Sequence, residues 1–210
     1  MRRVPPSAWF AVELGFLAFG AVIGAKPAWH WLEGTYARLS AARRWQAWCR
    51  SERTELKPGC PAFWLRIPEC QIDTLVLYGA TEQNLKRAPA FVPLRRAGVV
   101  AAHRDKHFRP LSAIRVGSRV ELVEATGRKR LYLVDEICVL DKSTAPAYLD
   151  EKAGEEGLIF LTCYPFHYVG PAPKRFIVRA RKLEQHALAT GRRDSYSHSH
   201  GSGSEAVAVR

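Results

Sequence analysis

Hydrophobic and polar positions alternate most clearly over Arg130–Leu140, where Leu131, Leu133, Asp135, Ile137 and Val139 face one way and Tyr132, Val134, Glu136, Cys138 and Leu140 the other. A two-residue period is the mark of a strand. Shorter apolar runs of the same texture occupy Ala62–Ile67, Gln71–Tyr78, Gly98–Ala102, Arg119–Val123, Leu158–Thr162 and Arg175–Arg181. Turn and loop signals separate them. Seven short strands within about 120 residues leave little room for long helices and predict a mainly β domain, a sandwich or closed barrel. Short helical turns are expected at Thr81–Lys86 and Arg109–Ala113, and Lys142–Gly157 reads as a long polar connection.

The N-terminal pattern differs. Ala8–Ala25 is apolar except for Glu13 and runs 18 residues, near the lower limit for a membrane span. Trp9 on one side and Trp29 and Trp31 on the other suit the two bilayer interfaces. No small-residue cleavage site is evident, so the segment is expected to be an uncleaved anchor. Glu13 costs about 2–3 kcal/mol at mid-span, and a buried helix is the alternative. Next, Trp29, Leu32, Tyr36 and Leu39 recur at helical spacing, until Lys57-Pro58-Gly59 breaks the pattern. The expected organisation is an anchor over 1–27, a helical stalk over 28–57, a β domain over 58–184 and a disordered tail over 185–210.

Charge changes this picture little. The 210-residue chain has a net charge of +12, which suits anionic partners. Its basic residues are scattered, however, and no nucleic-acid-binding motif accompanies them, so nucleic acid is not an expected partner. Basic residues flank both ends of the apolar segment (Arg2 and Arg3 before it; Lys26, Arg38, Arg43 and Arg44 after it), so charge alone does not orient it.

Five cysteines, Cys49, Cys60, Cys70, Cys138 and Cys163, form neither a C-x-x-C pair nor a zinc-type spacing. Cys60 and Cys70 are a candidate disulfide closing a nine-residue loop, which sequence alone cannot establish. The odd count leaves one thiol to account for.

Chemistry concentrates at three separated places. In AGVVAAHRDKHFRPL a short apolar strand ends at His103, which gives an imidazole a rigid mount within reach of solvent, as general acid–base work requires. In LIFLTCYPF another apolar strand delivers Thr162 and Cys163 to its edge. A thiol becomes a useful nucleophile as thiolate, and a nearby cation favours that form. In APKRFIVRARK, Phe176, Val178 and Ala180 make one face of a strand and Arg175, Ile177, Arg179 and Arg181 the other. If this strand pairs antiparallel with the cysteine strand, Arg175 returns beside the thiol, where a guanidinium can bind a carbonyl or an oxyanion.

Together, these segments resemble the sortase family. Cys163 with its surroundings is similar to the T-L-x-T-C signature followed by Y-P-F, and Arg175 matches the arginine of the next strand. His103 matches the histidine of the G-H-R-D-x-x-F-R-x-L segment, and Tyr164–Phe176 is close to the class D-like pattern. The resemblance covers about 60–183. Ala102 stands where the family has glycine, and Ile159 and Phe160 where it has threonine and leucine. The resemblance implies an eight-stranded barrel tethered to the membrane by an N-terminal helix and facing the extracytoplasmic side. It further implies a cysteine transpeptidase that cleaves an L-P-x-T-G-like sorting signal and passes the product to an amine. Cys163, His103 and Arg175 would be catalytic, and Thr162, Ala102 and His167 would shape the substrate groove. Lys142–Gly157 would recognise the signal.

His107, inside the charged loop, and His167, four residues after Cys163, are competing bases. No carboxylate cluster suggests calcium, and no metal or cofactor is expected. The competing functions are a hydrolytic cysteine peptidase and a silent peptide-binding barrel.

Overall fold

In the computed structural model, residues 38–51 and 55–183 are described, together with positions 19 and 36. The expected tail and almost all of the expected anchor therefore lie outside the described residues. Among the described residues, no helix is long and apolar enough to cross a membrane.

Eight strands close a barrel. They are β1 (Pro61–Ile67), β2 (Ile72–Tyr78), β3 (Ala90–Leu94), β4 (Ala97–Ala101), β5 (Arg119–Val123), β6 (Lys129–Asp141), β7 (Gly157–Tyr164) and β8 (Lys174–Lys182). Around the barrel the order is β1-β2-β3-β4-β7-β8-β6-β5. The pairings are antiparallel except for two parallel ones, β2 with β3 and β4 with β7. Closure leaves no sheet edge exposed for association.

The interior holds Leu65, Ile67, Val76, Val100, Val120, Phe160 and Val178, with Phe108 and Leu111 contributed by the segment that follows β4. Phe108 meets Phe160 edge-on, with ring centroids 5.9 Å apart. The charged segment after His103 is thus pinned from beneath by two apolar side chains, and its backbone closes a tight turn through the Phe108 amide donating to the His103 carbonyl at 3.1 Å. Gly98 is required by packing, since a Cβ there would overlap the Phe91 ring.

Helix α1 (38–49) lies against the outside of the barrel through Ala41 and Trp45, which join Leu75, Leu77, Ala88 and Trp64. The described part of the expected stalk thus packs against the barrel domain. Helix α2 (Glu82–Arg87) begins at Thr81, whose hydroxyl accepts from the Asn84 amide. A 3₁₀ turn covers Pro110–Ala113.

Three features depart from the sequence expectation. β3, which carries Pro93, is not among the runs expected as strands. Only Leu77 and Tyr78 pair with it on the β2 side, opposite Ala90 and Phe91, so Pro93 sits where that side of the strand has no ladder to interrupt. Within Lys142–Gly157, residues Ala145–Lys152 form α3, and Ala145, Tyr148 and Leu149 pack on the outer wall. Finally, β6 does not alternate throughout, because a bulge between Val134 and Glu136 shifts its register. Tyr132 and Val134 face the core before it; Ile137 does so after it, while Cys138 and Leu140 join the outer cluster.

All five cysteines are free thiols. Cys60 and Cys70 cannot pair, because the whole of β1 separates them, roughly 23 Å at 3.3 Å per residue. Cys70 is buried, which pushes its thiol up to about 11.

Candidate active site

β7 is the middle of three strands that carry the candidate residues. On one side it runs parallel to β4, with Ala101 opposite Leu161. The ladder continues one step beyond β4, where the Ala102 amide donates to the Leu161 carbonyl at 3.2 Å. The same register brings His103 level with Cys163. On the other side β7 runs antiparallel to β8, and Cys163 pairs with Arg175.

The side-chain faces follow from alternation. Val100, Ala102, Leu158, Phe160, Phe176 and Val178 fill the interior, whereas Ala97, Val99, Ile159 and Ile177 form a cluster on the outside. Odd positions on all three strands therefore face outward. Cys163 and Arg175 share that outer face on neighbouring strands about 4.8 Å apart, with His103 two residues past the end of β4, and all three are half-buried. This convergence joins residues 72 positions apart in the chain.

Thr162 and Ala102 lie on the opposite face. Both are buried, and the Thr162 hydroxyl donates to the Ala102 carbonyl at 2.7 Å. This bond ties β4 to β7 one residue before His103 and Cys163, so the pair forms a floor under the site. His167 is exposed in the loop that follows β7.

Arg175 is held by its own strand entry, its Nη1 donating to the carbonyls of Ala172 at 3.2 Å and Lys174 at 2.9 Å. Among the described residues its Nε and Nη2 make no hydrogen bond, so those donors are available to an incoming carbonyl. Glu82, the first residue of α2, is within electrostatic reach of His103. Its carboxyl is held below the usual range chiefly by Lys86, 2.6 Å away, and to a smaller extent by His103.

His107 faces elsewhere. It lines a groove of about 670 Å³ between α1 and the barrel, with Arg38, Arg44, Asp73, Arg87 and Pro110 among its neighbours. Its Nε2 is buried without a hydrogen-bond partner among the described residues. Burial, and then the nearby Lys106 and His103, push its imidazole below the usual histidine range.

Sequence reasoning assigned no role to Arg104. Its Nη2 donates to the Tyr168 carbonyl at 2.6 Å and the Gly170 carbonyl at 3.0 Å, and its guanidinium lies 5.7 Å from the centroid of the Tyr168 ring. The position next to His103 was visible in the sequence, but the partners, 64 and 66 residues away, were not.

Comparison with known proteins addresses the barrel directly. A family model described as the sortase domain matches residues 65–183, more than half of the chain. Sortase D of Bacillus subtilis (strain 168) is 28% identical over 125 residues, covering 57% of this chain and 62% of that protein. The chain thus spans less than two thirds of the length of this curated relative. Among solved structures, the Clostridium perfringens sortase D5 transpeptidase is 18% identical with a TM-score of 0.57, covering 71% of this chain and 98% of that one. C. perfringens sortase C, solved with the C-terminal cell wall sorting motif, is also 18% identical, with a TM-score of 0.54 and coverage of 72% and 90%. At these identities the structural likeness speaks to the fold, while the family match spans the barrel from within β1 to the residue after β8. The chain belongs to the sortase family and is class D-like.

Proposed function

We propose that the chain is a cysteine transpeptidase acting on an L-P-x-T-G-like sorting signal. The observation that carries this reading is the register that pairs Cys163 with Arg175 and brings His103, two residues past the end of β4, level with Cys163. The Cys163 thiolate attacks the carbonyl carbon of the scissile amide, and the amide C–N bond breaks. His103, as imidazolium, gives its proton to the departing amine, leaving a thioester on Cys163. An amine acceptor then attacks that thioester, His103 takes its proton, and the C–S bond breaks to restore the thiolate. Nε and Nη2 of Arg175 hold the substrate carbonyl and stabilise the oxyanion at each attack.

The solved sortase C with a sorting motif supports the substrate class by analogy. Residues 8–25 have the length and apolarity to hold the catalytic domain at the membrane, on the extracytoplasmic side where sorting signals emerge.

The test is a labelled L-P-x-T-G peptide given to the full chain with and without an added amine. Amine-dependent ligation is the expected result. Hydrolysis that no amine diverts would make the protein a peptidase. Absence of both, with Cys163 unreactive toward a thiol probe, would leave a peptide-binding barrel.

A further inference from the structure

We propose that Arg104 is a positioning residue, a strap that holds the β7–β8 loop beside the site so that the loop forms one wall of the peptide groove. The inference rests on the transpeptidase reading for its substrate and on geometry for the strap itself.

The loop spans 165–173, between the strand that carries Cys163 and the strand that carries Arg175. Its base is fixed. The Ala172 carbonyl accepts from Arg175, the Pro173 carbonyl accepts from the Lys142 amide at 2.9 Å, and Ala172 is buried. Its apex is different in kind. Val169 is 99% exposed, Tyr168 is 44% exposed, and Gly170 takes a φ of +94°, so neither packing nor local geometry holds it to the barrel. Among the described residues, the only hydrogen bonds at this apex are the two from Arg104.

Arg104 comes from the far side of the site. It follows His103 directly, beyond the end of β4, and reaches across the end of β7 to a loop that leads into β8. His103 is therefore bracketed: Ala102 before it is tied to Thr162 beneath the site, and Arg104 after it is tied to the loop above. A side chain that only balanced charge would have no need of two carbonyls and a ring face. A guanidinium meets all three at once, donating in its plane and stacking on Tyr168.

The strap acts on the wall, so its loss weakens peptide binding more than chemistry. In Arg104→Gln, KM for the sorting peptide should rise about five- to tenfold with kcat within about twofold of the parent. Amide hydrogen exchange over 165–173 should accelerate, and site-resolved iodoacetamide alkylation of Cys163 should proceed at the parental rate. Arg104→Lys keeps the charge and donors but loses the stacking plane, and should fall between parent and Gln variant in KM.

Unchanged KM and exchange in Arg104→Gln would overturn the proposal. So would a fall in kcat at constant KM, since Arg104 would then act through His103. If the parent turns over no sorting peptide, the transpeptidase reading fails on its own. The exchange measurement then decides the strap alone: faster exchange at 165–173 upholds it, and parental exchange removes it.

Discussion

The outer wall made by β4, β7 and β8 is one surface used in two ways along its length. In its lower half, Ala97, Val99, Ile159 and Ile177 lie under α3, which covers them with Ala145, Tyr148 and Leu149. Arg179 locks that cover. It donates to both oxygens of Asp135 at 3.1 and 2.9 Å, lies 3.5 Å from Glu136, and pairs with Glu155 beyond the end of α3. One step past Leu161 on the same face, the helix is absent and His103, Cys163 and Arg175 are half-buried. Alternation is the same in both halves; cover is what differs. The three candidate site residues occupy the stretch where the strands outrun the helix, apart from the packing that stabilises the wall.

The largest expected effect comes from removing the group that defines the open half. Cys163→Ala should abolish both ligation and thioester formation, because no other described side chain on this face offers a nucleophile level with His103 and Arg175. Stability in urea should stay within about 1 kcal/mol of the parent, since a half-exposed thiol at a strand end fills no cavity. Residual turnover in this variant would displace Cys163 from its role. A stability loss of several kcal/mol would show instead that the open half is packed like the covered one.

The same contrast explains what could be read from the sequence. Where a strand buries one face, the pattern is explicit: β5 has the same bounds in the sequence reading and in the structure, and Phe176, Val178 and Ala180 face the core as their spacing implied. Elements governed by tertiary context were hidden. β3 has Pro93 and an incomplete ladder, and α3 has weak amphipathicity because it only lids a wall. The β6 bulge falls at Asp135, which Arg179 meets from 44 residues away. At the site, the three chemical groups stood in recognisable motifs, but their ties did not. Thr162 to Ala102, Arg104 to Tyr168 and Lys142 to Pro173 are long-range bonds to backbone carbonyls, and any residue supplies a carbonyl.

A smaller effect should come from loosening the covered half while leaving the open half alone. Arg179→Met keeps the aliphatic stem but leaves Asp135, Glu136 and Glu155 without their shared cation. The Arg179 side chain is 22% exposed, so solvent screens part of the interaction. The expected loss is about 1–3 kcal/mol in urea unfolding, and raised salt should narrow the gap to the parent. Site-resolved alkylation of Cys163 should keep its parental rate under native conditions. If that rate changes as well, the two halves are mechanically coupled and the separation drawn between them is wrong.

The smallest effect concerns two histidines four residues apart that the fold treats in opposite ways. His103 is half-buried on the open face, whereas His107 has its Nε2 sealed in the groove beside α1. Burial and the neighbouring Lys106 and His103 depress the proton affinity of His107, against a weaker opposing pull from Asp105. The unfolded chain therefore binds this proton more readily than the folded one. Its contribution to stability is intact above the unfolded histidine pKa, about 6.5, and is lost as pH falls from there through the lower folded value. In His107→Gln the penalty is absent, so urea stability measured from about pH 7.5 down to about pH 5 should decline less steeply than in the parent. Parallel curves would mean that His107 takes up its proton as easily folded as unfolded. The sealed histidine would then be as open as its neighbour, and only His103 would remain distinguished, by its place level with the thiol.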